Sequence, residues 1–469
     1  MQLKISPFSV PKGQSQLFLD DQLVAEKCNV NRVWHHLRKN PSNPLMLKSG
    51  LEEGLYLFGT VLREPDPAAG DEPMFRMWYY AGGKGITWTA YARSRDGLNW
   101  EKPELGLVEL DGNRENNAVF GPQGWRLIGL AGVIKNPNPQ VKENERYKLM
   151  AAARNIETEQ KAYLLAVSPD GFRWTLQSTF TPPPPCKPDR ACFVWDSFRQ
   201  VYALYNRARF ALPELTEKGG PDYWGRAIAL CTSKDFKNWS EPELVMHADQ
   251  NDPDGTEIYG SATFPYEGQW VSLPQIHRSL PHLAYIDIAI AHSRDGKNWT
   301  REKELVLPRG GIGEWDRFNQ CASTCPVRVG DELWVYYSGR LYRHGEYKNS
   351  GLKDTGPYHI GIGLATLRLD GWCSLQAGFD GGEVVTEPII LPAGNLFINA
   401  KSDWGEIVVE VLKTNGNAIE GMRSMTISGN CVRLQAKWPE GRSWEKLAGK
   451  QVRLRFIIRN ALLYSWKVE

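Results

Sequence analysis

The sequence predicts an all-β protein assembled from repeated sheets of four strands. Three observations support this prediction: a short turn phrase recurs along the chain, alternating apolar runs precede each copy, and helical periodicity is scarce. Alternation of apolar and polar residues is the pattern of a strand with one buried face, so each repeat is expected to form a sheet.

The turn phrase is complete in four places and shortened in a fifth. Its first copy, Ser94–Trp100, reads Ser-Arg-Asp-Gly-Leu-Asn-Trp. The tryptophans that close the copies lie 60 to 74 residues apart, at Trp100, Trp174, Trp239, Trp299 and Trp372. Asp and Ser side chains hydrogen-bond nearby backbone amides, and Gly supplies the positive φ that a tight turn requires. The acids that we therefore predict to be turn residues are Asp96, Asp170, Asp235 and Asp295.

Four strands repeated five times indicate a radial arrangement. We predict a five-bladed β-propeller over residues 31–375, preceded by an N-terminal segment of residues 1–30. A solenoid would need shorter and more uniform repeats. Beyond Trp372 the phrase stops, but strand-like runs separated by Asn and Gly turns continue to the C-terminus. Residues 376–469 are therefore predicted to form a β-sandwich.

Composition excludes several classes of partner. The chain has 469 residues and a formal net charge of +2, which gives no electrostatic basis for binding nucleic acid. No apolar stretch of 18 residues occurs, so no membrane partner is expected. The N-terminus lacks the apolar run of a secretory signal, and the eight cysteines are scattered. We expect a cytoplasmic protein, unless a signal peptide has been removed, and the oligomeric state stays open.

Candidate functional residues lie where the first strand of each blade starts, because these strands line the channel of a propeller and meet at one mouth. The candidates for catalysis are Glu53, Asp189 and Glu257. The candidates for substrate binding are Tyr56, Trp125, Arg190, His277, Asp316 and Arg317. Each acid has a structural alternative as a turn cap or a solvated charge at the rim.

Several acids around one mouth match the chemistry of glycosidic cleavage. One carboxylic acid protonates the departing oxygen, while another acts as nucleophile or activates water. The chain also contains 18 Trp, 18 Tyr and 16 Phe, and aromatic faces stack on the C–H faces of sugars. A carbohydrate is therefore the expected substrate. No cofactor is expected, although a structural calcium ion in the channel stays open.

Two other functions stay open at this point. A carbohydrate-binding propeller without catalysis would show sugar affinity but no turnover. A phosphate-dependent glycoside phosphorylase would need a basic pocket beside the acid, for which Arg190 and Arg317 are candidates.

The turn phrase of Ser233–Trp239 resembles the blade turn of five-bladed glycosidases of glycoside hydrolase families 32, 43 and 68. Across nearly its whole length, the chain more closely resembles uncharacterised bacterial "family 32 N-terminal-like" proteins. The segments that carry this likeness are Leu17–Asp21, Asp189–Arg190, Glu257–Tyr259, Ser293–Gly296, Arg453–Phe456 and Ala461–Tyr464.

The resemblance implies three catalytic acids. Asp189 matches the middle Asp by position, Glu257 matches the general acid, and Glu53 replaces the first Asp by location. The Asn-Asp-Pro-Asn-Gly of blade one, the Arg-Asp-Pro and the Glu-Cys pair of those families do not occur at the corresponding places. The resemblance therefore supports the predicted fold more strongly than it supports a catalytic mechanism.

Overall fold

The structure is a computed structural model that describes residues 8–66, 73–137, 141–211, 224–280, 283–344 and 360–469. Its regular elements are strands, together with two short 3₁₀ turns at Glu143–Glu145 and Trp444–Leu447. The all-β prediction is confirmed over these residues. Within the same ranges, no helix is long and apolar enough to cross a membrane.

In chain order the strands are β1 (Phe8–Ser9), β2 (Gln16–Leu17), β3 (Val24–Cys28), β4 (Asn31–Trp34), β5 (Arg38–Lys39), β6 (Met46–Leu47), β7 (Gly54–Pro65), β8 (Pro73–Gly83), β9 (Ile86–Ser94), β10 (Ala118–Phe120), β11 (Trp125–Lys135), β12 (Tyr147–Asn155), β13 (Lys161–Ser168), β14 (Thr175–Phe180), β15 (Cys186–Asp196), β16 (Val201–Ala211), β17 (Trp224–Ser233), β18 (Glu243–Met246), β19 (Thr256–Tyr266), β20 (Gln269–Arg278), β21 (Ile286–Ser293), β22 (Thr300–Leu307), β23 (Asn319–Ala322), β24 (Val327–Val329), β25 (Glu332–Arg340), β26 (Ile360–Arg368), β27 (Cys373–Ala377), β28 (Gly382–Thr386), β29 (Ile389–Ile390), β30 (Leu396–Leu412), β31 (Ala418–Arg423), β32 (Ile427–Gln435), β33 (Gln451–Arg459) and β34 (Ala461–Val468).

The chain divides into two compact units. Unit 1 takes residues 1–36, 328–333 and 367–469, and unit 2 takes residues 37–327 and 334–366. In unit 1, a twelve-stranded sheet runs in the order β1-β29-β33-β30-β34-β27-β4, and β2, β3, β28, β31 and β32 pair with its members. The strands before residue 36 thus pair with strands near the C-terminus.

Unit 2 is built from antiparallel groups of strands that are consecutive in the chain. Three four-stranded sheets consist of β7–β10, β11–β14 and β15–β18. In a ten-stranded sheet, β19–β22 form a fourth group, and β23, β25 and β26 form a fifth group that is completed by β5 and β6. One parallel pairing, between Ile286 and Asn319, joins the last two groups.

The first strands of these groups pack against one another: β7 against β11, β11 against β15, β15 against β19, and β23 against β7. Small side chains fill the space between them. Thr60 Oγ1 lies 2.7 Å from Thr324 Oγ1 and accepts a hydrogen bond from the Val133 N–H at 3.0 Å. The Cys192 thiol donates to the carbonyl of Thr263 at 3.5 Å. These short polar side chains allow backbones from different sheets to approach closely.

The recurring phrase forms the predicted turns. Asp96 Oδ1 accepts hydrogen bonds from the N–H groups of Leu98 and Asn99, both at 2.8 Å, while the Gly97 N–H donates to Ser94 Oγ at 2.8 Å. The other three turns repeat the two contacts to the carboxylate, through Asp170, Asp235 and Asp295. The predicted turn role of these four acids is confirmed.

Each of these turns also packs on a different sheet. In three of them, the carbonyl of the turn glycine accepts a hydrogen bond from a buried aromatic side chain of that sheet. The donor and acceptor pairs are Trp78 with Gly171 and Tyr336 with Gly97, both at 2.8 Å, and Tyr205 with Gly296 at 2.9 Å. In the remaining turn, Phe236 takes the glycine position at a φ of 64° and buries its ring against residues of the second sheet.

Gly97→Ala should destabilise the protein more than Gly85→Ala. Both glycines have a positive φ, 73° and 81°, so either alanine should cost about 1–2 kcal/mol of unfolding free energy in backbone strain. A Cβ on Gly85 would meet open space, whereas one on Gly97 would lie 2.5 Å from the Tyr336 hydroxyl oxygen. Overpacking should therefore increase the loss of unfolding free energy in Gly97→Ala by about 1–3 kcal/mol. Urea denaturation of both variants measures this difference. Equal losses would show that the turn does not depend on this contact.

Candidate active site

Charged and aromatic side chains from several strands of unit 2 form one group, which we name the arginine–carboxylate cluster. Its members lie on β15, β16, β17, β19, β20 and β25 and in the loop that follows β25. They are Asp189, Arg207, Arg226, Glu257, Tyr259, His277, Arg340 and His344. Three of the residues predicted from sequence, Asp189, Glu257 and His277, belong to this cluster.

Asp189 is held by an ion pair but is not enclosed. Arg207 Nη1 lies 2.7 Å from Asp189 Oδ2, and the carboxylate side chain stays 31% exposed. The Arg207 guanidinium also donates to the carbonyl of Tyr259 at 2.9 and 3.2 Å. Burial lowers the pKa of Arg207, but Tyr259 and Asp189 outweigh this effect, so the pKa lies above its ordinary value. Asp189 therefore faces a permanent positive charge on one side and solvent on the other.

Glu257 is enclosed, with 4% of its side chain exposed. It lies directly opposite His277 in the pairing of β19 with β20, so that His277 Nδ1 donates to Glu257 Oε2 at 2.9 Å. Arg226 forms an ion pair with the same oxygen. Burial raises the pKa of Glu257, but the hydrogen bond from His277 and the charge of Arg226 outweigh it and hold the pKa below its usual range. Glu257 is therefore an ionised carboxylate.

Tyr259 connects the two carboxylates. The guanidinium of Arg207, which pairs with Asp189, lies 4.1 Å from the centre of the Tyr259 ring, and that of Arg226, which pairs with Glu257, lies 5.5 Å from it. Two acids from different sheets thus reach one aromatic ring through two arginines.

His344 packs against the same ring. The centre of its imidazole lies 4.9 Å from the ring centres of both Tyr259 and His277. Burial, His277 and the positive charges of the cluster arginines together lower the pKa of His344 to about 3. His344 is therefore neutral near pH 7, because its surroundings are already positive.

Arg340 lies at the end of β25 and has no carboxylate partner among the described residues. It donates a hydrogen bond to the Tyr56 hydroxyl at 3.2 Å. The ring of Tyr56 is stacked on that of Phe58, with 5.2 Å between centres, and Phe58 in turn lies 4.7 Å from the guanidinium of Arg190. The predicted binding residues Tyr56 and Arg190 thus adjoin the cluster through Arg340 and Phe58.

Irregular strand pairing shapes the cluster. In the ladder between β19 and β20, the register shifts between Ile258 and Gly260, so Tyr259 has no Cα partner on β20. Another shift in the ladder between β15 and β16, between Cys186 and Ala191, spans Asp189. A bulge re-aims the side chains beside it, and bulges are frequent next to active sites. The shifts explain how neighbouring side chains of one strand can face different surroundings.

The other predicted residues lie in different surroundings. Glu53 is exposed and acts electrostatically on Lys84. Trp125 is half-buried and packs on the core of the second sheet. Asp316 is buried and binds Tyr337, Gln320 and Lys39 at 2.9, 3.1 and 2.7 Å. Arg317 covers the ring of Phe318 at 4.9 Å. Functional roles for these four residues stay predictions.

Sequence reasoning did not single out Arg207, Arg226, Arg340 or His344. A signal was present, because in an antiparallel group the second strand ends, and the third strand starts, at the edge where the first strand starts. Arg340 is the last residue of a second strand, and Arg226 is near the start of a third. Apart from His277, the residues predicted from sequence lie at or near the starts of first strands, so this signal was missed.

The cluster does not have the ligands of a typical metal site. Over the described ranges, no group of three or more His, Cys, Asp and Glu side chains could hold a metal ion. Within those ranges there is thus no such group of ligands for the structural calcium ion that the sequence analysis left open.

His344→Gln should become more stable relative to the wild type as the pH falls from 6.5 toward 3. The folded-state pKa of about 3 lies below the ordinary 6.5, so the unfolded chain binds the extra proton in that window. Wild-type stability is lost there as the pH falls, whereas glutamine removes this contribution. The measurement is the unfolding free energy of both proteins between pH 7 and 4, with exposed His36→Gln as the control. If the difference in unfolding free energy between His344→Gln and the wild type stayed constant from pH 7 to 4, the buried, positively charged surroundings assigned to His344 would be wrong.

Comparison with known proteins gives no family for this chain. No protein-family profile matches it, and no curated protein matches it significantly. Three solved structures show the level of similarity. An N-acetylgalactosamine deacetylase from F. plautii, in complex with blood group B trisaccharide, is 15% identical, with 74% of this chain and 96% of that chain covered and a TM-score of 0.45.

A fructofuranosidase from Schwanniomyces occidentalis, complexed with fructose, is 10% identical over 90% of this chain and 97% of its own, with a TM-score of 0.43. A structure from work on glycoside hydrolase family 130 and β-1,2 mannosidic linkages in Candida mannan is 14% identical over 72% and 94%, with a TM-score of 0.42. Similarity at this level carries no argument about the chain, so its function has to be argued from its own residues.

Proposed function

We propose that the protein is a glycosidase and that the arginine–carboxylate cluster of unit 2 is its active site. The observation that carries this proposal is the convergence of Asp189 and Glu257, from different sheets, on Tyr259 through Arg207 and Arg226. Paired carboxylates in different environments are the groups that glycosidic cleavage requires. The reaction class is also the one implied by the sequence resemblance to families 32, 43 and 68.

The same proposal interprets unit 2 as a five-bladed β-propeller and residues 376–469, which belong to unit 1, as a β-sandwich. Two contacts support a closed ring of blades. The first strand of the fifth group packs on that of the first group, and the Thr324 N–H donates to the Gly59 carbonyl at 2.9 Å. The first turn accepts its hydrogen bond from Tyr336 of the fifth group. The cluster then lies where several blades meet.

Aromatic side chains beside the cluster would supply a surface for a sugar ring. Tyr56, Phe58 and Tyr80 lie together, with 5.2 Å between the ring centres of Tyr56 and Phe58 and 6.0 Å between those of Tyr56 and Tyr80. All three side chains are partly exposed. The C–H faces of a pyranose or furanose stack on such rings.

The two carboxylates are suited to different roles. Glu257 is buried and ionised, and Arg226 and His277 both stabilise its charge, so we assign it to positioning these two residues. Asp189 is the accessible carboxylate, and we assign it the transfer of a proton to the departing glycosidic oxygen. A water molecule would attack the anomeric carbon and return a proton to Asp189, so that the bond to the departing oxygen is replaced by one to water and the acid is restored. The role of general acid predicted for Glu257 from sequence thus passes to Asp189 in this proposal.

Asp189→Asn should lower kcat on a cleaved glycoside by about 10²–10⁴-fold, the usual contribution of a proton-transferring group. The thermal midpoint should fall as well, because the substitution removes the counter-charge of the buried Arg207, so kcat is compared at a temperature at which both proteins are folded. A panel of aryl glycosides and oligosaccharides would first identify a substrate. Wild-type protein that binds sugars without cleaving any of them would favour the carbohydrate-binding alternative. Full turnover in the variant would remove the assignment of Asp189.

Glu257→Gln should mainly lower the free energy of unfolding. It removes the counter-charge of Arg226, whose side chain is 18% exposed, and breaking an ion pair whose carboxylate is buried typically costs about 3 kcal/mol of unfolding free energy. Glu243→Gln is a matched control, because Glu243 pairs with Lys297 on the surface, and its loss should cost less than about 1 kcal/mol. Urea denaturation of both variants measures the difference. Equal stability would mean that Glu257 is not the structural counter-charge described here.

A further inference from the structure

Positive charge exceeds negative charge in and beside the arginine–carboxylate cluster. Asp189 pairs with Arg207, and Glu257 pairs with Arg226. Arg340 makes its hydrogen bonds to Tyr56 and Tyr342 instead. No carboxylate from the described part of the chain contacts its guanidinium, which remains charged at all accessible pH values.

Arg190 increases this excess. Its side chain is buried, with 3% of the residue exposed, and its guanidinium donates to the carbonyl oxygens of Ala191 and Ala322 at 3.3 and 3.1 Å. Within the described ranges, no acid pairs with it. Four guanidinium groups are therefore gathered around two carboxylates.

Buried donor positions in the cluster also lack partners. His277 is 4% exposed, and its Nε2 makes no hydrogen bond to any described residue. The same holds for Nε of Arg226, Nε of Arg190 and Nδ1 of His344. Since Nδ1 of His277 contacts Glu257, Nε2 is the ring nitrogen that remains to contact a bound group.

The neutral state of His344 is a second indication of excess positive charge in the cluster. Burial lowers the pKa of His344 most, and His277 and three arginines, which lie on β16, β17, β20 and β25, lower it further. The cluster arginines therefore share one small region around His344. An isolated buried charge is costly unless a partner compensates it.

We infer that the region around His344, bordered by Arg226, Arg340 and His277, is a subsite for an oxyanion. Guanidinium groups bind phosphate, sulfate and carboxylate oxygens through pairs of N–H donors, which matches this set of side chains. Two sources supply such a group: free inorganic phosphate, or the acid group of a sugar such as a uronic acid. The role of this subsite in substrate binding rests on the proposed glycosidase function. Binding of an oxyanion can nevertheless be measured without any cleavage of a glycoside.

Isothermal titration calorimetry of the full chain, at constant ionic strength and pH 7, tests the inference. The ligands are inorganic phosphate, sulfate, glucuronate, galacturonate and neutral glucose. We expect saturable one-to-one binding of at least one oxyanion. Phosphate binding would point to the free anion, whereas binding of a sugar acid alone would point to an acidic substrate. Absence of saturable binding by all four anions would overturn the inference.

Variants locate the site. Arg340→Gln removes a charged donor and should weaken binding about tenfold to a hundredfold. Exposed Arg63→Gln, outside the cluster, is the matched control and should leave the affinity unchanged. If Arg340→Gln does not fold, His344→Phe, in the loop after β25, should weaken binding as well. Equal weakening in the cluster variant and the control would contradict the location.

Asp189→Asn separates this inference from the proposed function. Because the substitution removes a negative charge beside the cluster, the variant should bind the oxyanion at least as tightly as the wild type while losing turnover. Oxyanion binding without cleavage of any glycoside would retain the subsite and reject the glycosidase. Cleavage that depends on Asp189, without oxyanion binding, would retain the enzyme and reject the subsite.

Discussion

Three turn carbonyls of unit 2 accept hydrogen bonds from aromatic side chains of another sheet, and the positions of the sheets depend on these contacts. Gly97, Gly171 and Gly296 have positive φ values and no Cβ, so the turn backbone reaches the neighbouring sheet. A hydrogen bond buried among aromatic rings is both directional and costly to break. Joined in this way at one edge, the sheets bring their first strands together, and the cluster lies on strands of these same sheets.

The chemistry of the cluster follows from how its charges are divided. Glu257 is buried between His277 and Arg226, which maintain it as an anion. Asp189 keeps contact with solvent and is the carboxylate that a bound molecule can reach. The arginines beyond these two pairs leave a positive region around His344. The proposed proton transfer and the proposed oxyanion subsite thus use different members of one electrostatic arrangement.

Features that depend on local chemistry were predictable from the sequence. The turn phrase is seven residues long, and Asp96 and its three equivalents bind amides two and three residues ahead, so the residue types alone imply the contacts. Apolar alternation likewise predicted strands, because a half-buried strand has a period of two. Asp189 and Glu257 were found because each precedes a clear apolar run, although their partners and their division of roles were not.

The sequence by itself thus determined the strands, the turns and two acids of the arginine–carboxylate cluster, whereas the partners of those acids were decided by tertiary structure. Arg207 and Arg226 face the acids because adjacent strands and sheets place them at a common edge, and Tyr259 reaches between them at a shift in strand register. Such a shift is set by the packing of one strand against another, and it alters which face a side chain takes. Burial and charge at Glu257 come from residues distant in the chain, so its protonation state follows from the folded arrangement alone.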